Sequence, residues 1–359
     1  MTRPMQSAPA KSSVDAPSDV IATRPCPNCY LCGTPGVPLY HGLPDRLFGA
    51  SGEWNLSRCP AAGCGLIWLD PMPTEADIGK AYAAYFTHDD PQAAPSGALR
   101  KLWRMSKSAY MAQRFGCSSD IPKSIRMLAA LPVYLIRPLR DGIDLPLKYF
   151  AERKGRLLEV GCGAGDTMKI AANMGWDAEG LDVDPKAVAN ARGKGLTVHL
   201  GQLADQRFAD ESFDLVLMSH VIEHVHDPLA LLRECRRVLR KDGLLVVFTP
   251  NTESWGYRRL GANWMGLDPP RHLIVFNPQT LECLARRAGF SDRTISSTIR
   301  LTNGFFTLSR LLGSTRGCAA FRKASLSQRL YGHTAAYAES IISGFRPLIG
   351  SELLFEARK

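Results

Sequence analysis

No stretch of the sequence is apolar for long enough to cross a bilayer as a helix. The longest run, residues 127–136, contains Pro132, and a spanning helix needs about 20 predominantly apolar residues. Residues 1–20 lack the apolar segment of a secretory signal. Residues 1–22, rich in Pro and Ser and poor in apolar residues, read as a disordered leader. The expected location is therefore the cytoplasm. No internal repeat is present, which excludes solenoid and propeller architectures. With secretion set aside, the ten cysteines read as thiols or metal ligands rather than disulfides.

Acidic residues are in deficit, 34 against 44 basic, for a net charge of +10 over 359 residues. The deficit is local. Residues 1–97 sum to −3 and residues 157–290 to −2, whereas 98–156 carry +9 and 291–359 carry +6. Charge of that sign attracts phosphate or a membrane surface and says nothing of fold. At 45% hydrophobic and 22% charged residues, the chain has material for a packed core, and its length suits two or three domains.

Apolar strands and helical patterns alternate after residue 156. The spacing predicts strands near 157–161, 178–182, 196–200, 214–219, 243–249 and 352–356, and helices near 166–175, 185–193, 228–240 and 278–288. Such alternation implies an α/β fold with a parallel sheet covered on both faces. Upstream, a short helix is expected at 74–86, then helical pieces over 99–150 broken at Pro122, Pro132, Pro138 and Pro146. Residues 300–345 read as basic and helical.

Two constellations carry chemistry. Glu159-Val160-Gly161-Cys162-Gly163-Ala164-Gly165-Asp166 closes the first strand and opens a helix, so a ligand can approach the backbone beside free N–H groups. About 20 residues on, Asp182 ends the second strand, where a carboxylate can hold ribose hydroxyls. Asp166 stands where a dinucleotide-binding loop has its third glycine and would repel a pyrophosphate, so the ligand is expected to be cationic or zwitterionic. Asp184 before Pro185 reads as a helix N-cap. The second constellation is Cys29-x-x-Cys32-Gly33 with Cys59-x4-Cys64-Gly65. Four thiolates in two pairs suit a closed, structural zinc site. Cys26 offers an alternative pairing with Cys29, and Gly33 after Cys32 favours the pair chosen.

The glycine loop resembles motif I of class I S-adenosylmethionine-dependent methyltransferases. Four further stretches resemble that family in order: Ser212–Val216, His220–Val225 with Asp227-Pro228 (as in ubiquinone-biosynthesis methyltransferases), Leu239–Leu245 and Gly350–Leu354. The resemblance spans about 157–290 plus the C-terminus. It implies a Rossmann-like, doubly wound sheet of seven strands, the last antiparallel, with helical substrate-lid additions. It also implies cofactor contacts: Glu159, Gly161, Cys162, Gly163 and Gly165 at the methionine part, Asp182 and Val183 at the ribose, Gln202 and Leu203 at the adenine, and Ser219 and His220 lining the methionine side. Cys64–Pro73 resembles the end of the N-terminal zinc ribbon of some bacterial methyltransferases of sugar, polysaccharide and secondary-metabolite pathways. The expected organisation is a leader (1–22), a zinc-ribbon-like module (23–73), a helical linker or lid (74–150), the methyltransferase core (151–299), a basic helical insertion (300–345) and a final core strand (346–359).

The expected function is methyl transfer to an oxygen or carbon of a small-molecule intermediate: a saccharide, nucleotide sugar or lipid-linked saccharide. Such an acceptor must lose a proton, and His suits that role. His272, beside Arg271 after a Pro pair, and His224, after Glu223, are the candidate bases, and loss of His272 is expected to cut turnover without weakening cofactor binding. Glu223 with His224 is the alternative, a metal anchor. The basic segments are expected to attract a phosphate-bearing acceptor or an anionic membrane surface, the latter through an interfacial helix with Arg100, Lys101, Arg104, Lys107, Leu102, Trp103 and Tyr110. Two other functions are weighed. A nucleic-acid methyltransferase would use the basic flanks and zinc, but Thr249-Pro250-Asn251 is not the signature of base amino-group methylation. A non-catalytic scaffold fits poorly with an intact loop and acid.

Overall fold

The computed structural model describes residues 20–83, 97–313 and 324–359. The leader apart from its last three residues, residues 84–86 of the expected short helix and residues 314–323 of the expected basic insertion lie outside them. In chain order the N-terminal module holds β1 (Thr23–Arg24), β2 (Val37–Pro44), β3 (Glu53–Arg58), β4 (Ile67–Leu69) and β5 (Met72–Pro73). Three helices follow: α1 (Ala98–Phe115), α2 (Lys123–Leu135) and α3 (Arg137–Glu152). The core comprises β6 (Arg156–Val160), α4 (Asp166–Asn173), β7 (Asp177–Asp182), α5 (Pro185–Gly193), β8 (Thr197–Leu200), β9 (Phe213–Ser219), α6 (Pro228–Val238) and β10 (Leu239–Pro250). After it come α7 (Trp255–Leu260), β11 (Ile274–Val275), α8 (Pro278–Arg287), β12 (Asp292–Thr298), α9 (Thr302–Leu312), α10 (Leu326–Phe345) and β13 (Glu352–Arg358).

The large sheet has seven strands in the order β12-β13-β10-β9-β6-β7-β8. Its five strands from β6 to β10 run parallel, and β13 is antiparallel to both neighbours. Leu157, Leu158, Leu215, Val216, Leu217, Val246 and Val247 are buried whichever face they point to, as expected of central parallel strands covered on both sides. The order of connection reverses at β6: the chain steps out to β7 and β8 on one side and then crosses to β9 and β10 on the other, placing the crevice at the carboxyl ends of β6, β7 and β9.

Three expectations are corrected. Pro132 and Pro146 do not break helices: α2 and α3 run through them. Both rings lie on exposed or half-exposed faces, where water can take the carbonyl bond that the ring removes. Strand β12 was not foreseen, because Asp292–Thr298 is mostly polar and sits at the sheet edge. Residues 78–82 form only a 3₁₀ turn.

The cysteine module is not a bead on a linker. Strand β11, from the segment after β10, pairs with β4 to complete a four-stranded sheet β11-β4-β3-β2. One continuous apolar cluster runs from Cys29, Leu56 and Trp68 through Phe276 and Leu284 to Val216 and Val247. The two basic segments also meet, since Arg137 Nη1 donates to the Ser340 carbonyl at 3.2 Å.

Candidate active site

The loop after β6 holds Gly161 and Gly163 at φ of 69° and 52°, a region costly for side chains with a Cβ. A Cβ on Gly161 would meet Val221 Cγ2 at 2.4 Å, whereas one on Gly163 would project into open space. Gly163 is therefore the point where the backbone lies bare to a ligand. Asp182, at the end of β7, grips this loop: Oδ2 accepts from the Gly163 N–H at 2.8 Å and Oδ1 from the Asp184 N–H at 2.9 Å. Burial raises its pKa against these bonds. Each oxygen keeps a lone pair for a further donor. Asp184 caps α5 by accepting from Lys186 N–H at 2.9 Å.

Glu159 lies beneath the loop, and its Oε2 has no hydrogen-bond partner. Burial pushes its pKa up to about 8. Burial thus holds this carboxyl neutral near pH 7, with one oxygen unpartnered below the glycine cradle, and a cationic ligand group opposite it would favour its ionised form. Cys162 is buried filler, packed beside Gly180. Val183 is exposed and Gln202 open to solvent, whereas Leu203 is buried in the core.

The segment after β9 builds the other wall. His220 bridges two buried carboxylates, with Nδ1 3.0 Å from Glu223 Oε1 and Nε2 2.8 Å from Glu352 Oε1. Burial opposes its charge, but the two carboxylates prevail and push it up to about 9. Glu352 also takes Arg300 Nη2 at 2.8 Å, and the same nitrogen donates to Ser219 Oγ at 2.9 Å. His220 is thus held as a cation with both nitrogens engaged, and it is not a free base.

His224 and His272 differ from it. His224 Nδ1 lies 3.1 Å from the Arg271 carbonyl and 2.8 Å from the Tyr82 hydroxyl. His272 Nδ1 lies 2.8 Å from the Gly266 carbonyl. A carbonyl only accepts, so the bond to Gly266 places the proton of His272 on Nδ1, and the bond to Arg271 does the same for His224 with the Tyr82 hydroxyl as a second acceptor, which leaves the lone pair of each ring on Nε2. Burial, then the neighbouring His272, pushes His224 down to about 4, so it is neutral near pH 7. The two rings pack edge to face at 4.6 Å. Glu223, fully buried, receives the Thr249 hydroxyl at 3.0 Å and has His272 Nε2 at 4.0 Å. One ligand atom from each of Glu223, His224 and His272 falls within 4.8 Å of the others.

His272, expected as a base, is almost completely buried, and its Nε2 points to Glu223. It supports its neighbours, whereas His224 is the half-open member of the pair. Arg271 is fully buried, donating to Asp45 at 2.7 and 3.0 Å and to Asp268 at 2.6 and 2.9 Å. His226 lies against the Pro73 carbonyl at 2.8 Å. Tyr82, Thr249, Arg300 and Glu352 were not foreseen. Only the Gly350–Leu354 stretch flagged the neighbourhood of Glu352.

A family model described as a methyltransferase domain matches residues 134–295. A ubiquinone biosynthesis O-methyltransferase of Cereibacter sphaeroides is 36% identical over 183 residues, covering 41% of this chain and 74% of the relative. The chain belongs to the class I S-adenosylmethionine-dependent methyltransferases. A homologue from another strain of that organism is 39% identical over 146 residues, 37% of this methyltransferase and 59% of the relative. A probable S-adenosylmethionine-dependent methyltransferase of Mycobacterium tuberculosis is 36% identical, covering 38% of this chain and 48% of the relative. The methyltransferase therefore spans only about half to three quarters of these relatives. A solved methyltransferase from Archaeoglobus fulgidus superposes with a TM-score of 0.42 at 19% identity, over 64% of this chain and 99% of its own. The glycine cradle, Asp182 and the orphaned Glu159 oxygen of this methyltransferase fit S-adenosylmethionine, a cationic sulfonium with an ammonium group and a ribose.

Proposed function

We propose that the enzyme methylates an oxygen of a small-molecule biosynthetic intermediate, with His224 taking the acceptor's proton. The observation that carries this reading is the half-open, neutral His224 whose Nε2 lone pair is freed by the Arg271 carbonyl, beside Glu223 in the segment after β9. S-adenosylmethionine supplies a methyl group on a positively charged sulfur. The chain's own residues orient the acceptor, exclude water and receive the proton at His224 Nε2. Glu223 stabilises the imidazolium that results, and positioning contributes much of the acceleration. The relatives named as O-methyltransferases support oxygen as the acceptor atom. The flanking basic segments support a phosphate-bearing acceptor such as a nucleotide sugar or lipid-linked saccharide, and their meeting at Arg137 and Ser340 is consistent with it. His224→Gln should lower kcat about 100-fold while cofactor affinity, by calorimetry, stays within twofold. Unchanged turnover with the true acceptor removes His224 from the mechanism.

The clustering of Glu223, His224 and His272 favours a second reading, a divalent cation held by one carboxylate and two Nε2 atoms. The backbone carbonyls on both Nδ1 atoms are the kind of outer-shell support that metal-bound imidazoles use. Chelator dialysis that leaves turnover unchanged, in metal-free buffer, would eliminate it.

In the N-terminal module, Cys29, Cys32, Cys59 and Cys64 are proposed to hold a structural zinc. Their sulfurs pair at 3.7 Å (Cys29 with Cys64) and 3.4 Å (Cys32 with Cys59), close to the edges of a tetrahedron with Zn–S of about 2.3 Å. Cys26 is not part of the cluster. The knuckle is tied to the core: Tyr30 bonds Asp227, the N-cap of α6, and Asn277 Nδ2 donates to the Cys64 carbonyl at 2.6 Å. Elemental analysis should find one zinc per chain, and Cys59→Ser should lose it and lower the unfolding midpoint by several degrees. A zinc-free native protein of equal stability would refute the site.

A further inference from the structure

Among the described residues, a broad apolar surface is left exposed on α1, α2 and α10. On α2, Ile125, Leu128, Leu131 and Leu135 are exposed, Leu128 and Leu135 to 72% each, while Ala130 and Val133 on the opposite face are buried. Leu102 and Met105 of neighbouring α1 are bare as well. On α10, Tyr337, Ile341 and Phe345 recur at helical spacing and are exposed, Phe345 to 85%. The bond from Arg137 to the Ser340 carbonyl sets the end of α2 beside this second stripe. Folded monomers seldom leave large apolar side chains bare in such number on adjoining elements.

The charge around the ridge identifies its occupant. Residues 98–140 contain nine basic side chains and one acidic. Lys101, Arg104 and Lys123 are exposed beside the apolar residues. A second copy of the chain would bring two such positive faces together. An anionic bilayer surface offers negative headgroups to the bases and hydrocarbon to the leucines. Among the described residues no helix is long and apolar enough to cross a membrane, so contact is with the surface only.

We propose that α2, with the exposed edges of α1 and α10, seats this enzyme on an anionic lipid surface. This differs from the interfacial helix expected around residues 100–110, because Tyr110 is fully buried and Trp103 packs inward. The seat adjoins the active site through one helix. Gly142 of α3 packs against the Arg300 carbonyl, and Arg300 bonds Ser219.

The test is sedimentation of the full chain with vesicles of phosphatidylcholine alone or mixed with phosphatidylglycerol. Binding should be at least about tenfold tighter to the anionic vesicles and should weaken with salt. Leu128→Ser with Leu131→Ser should reduce it about tenfold or more, and Lys101→Ala with Lys123→Ala should remove the preference for anionic lipid. Circular dichroism and cofactor affinity should stay unchanged in both variants. No binding to anionic vesicles, equal binding to neutral ones, or full binding by the leucine variant overturns the proposal. So does a concentration-dependent dimer that the leucine variant abolishes while vesicles fail to bind. The readout needs no turnover, so its failure leaves the reading of the reaction untouched.

Discussion

Arg271→Met is expected to lower the free energy of unfolding by about 3–5 kcal/mol, the usual cost of removing one partner of a buried ion pair. Every guanidinium nitrogen of Arg271 is engaged. Asp45 and Asp268 each bind it through both oxygens, and the Ala81 carbonyl takes Nη1 at 3.1 Å. The Phe48 ring lies 4.4 Å from the guanidinium carbon. Without the cation, two carboxylates stay buried against each other. Asp45 comes from the N-terminal module, Asp268 from the segment after β10 and Ala81 from the turn that carries Tyr82. Three distant parts of the chain are therefore joined at one charge, and the Arg271 carbonyl in turn orients His224. Denaturant titration measures the loss. Adding Asp45→Asn and Asp268→Asn to the methionine variant should recover part of it by removing the stranded charges. A loss below about 1 kcal/mol, the range of an exposed pair, would contradict this account.

Asp182→Ala should weaken binding of S-adenosylmethionine by about 100-fold to 10,000-fold, since hydrogen bonds to a charged acceptor contribute about 1.5–3 kcal/mol each. Two effects combine. Ribose hydroxyls lose their acceptor, and the Gly163 N–H loses the carboxylate that holds the glycine loop in place. Asp182→Asn keeps the shape and one acceptor oxygen, so it should fall between alanine and the native protein. Calorimetry with S-adenosylmethionine decides the matter, and affinity within threefold of native would show that Asp182 does not hold the ribose. The melting temperature should change little, because Asp182 is half-buried at a strand end rather than in the core.

Legibility followed the range of the interactions. The glycine loop, Asp182 and the Asp184 cap lie within one strand–helix–strand unit, so spacing along the chain reports their spacing in space. The cysteine pairs are similar, because each pair makes its own tight turn. His224 and Glu223 were visible as neighbours, but their roles were not. His272 looked like a base held by a proline pair, yet its ring turns inward to the Gly266 carbonyl. Arg271 stood out only as the neighbour of His272 after a proline pair, and its partner Asp45 lies 226 positions away. Glu352 meets His220 across 132 positions. No local pattern encodes such pairs.

By itself, the sequence determined the fold family, the glycine loop with Asp182 beside it and the grouping of the four cysteines, because hydrophobic period, glycine conformational freedom and ligand spacing act over short stretches of chain. Tertiary structure alone decided which histidine keeps an open lone pair, that a strand from the core completes the N-terminal sheet, and which face of the basic helices is left bare. Those outcomes depend on burial and on charges brought together from distant segments, and these quantities exist only after the chain has packed.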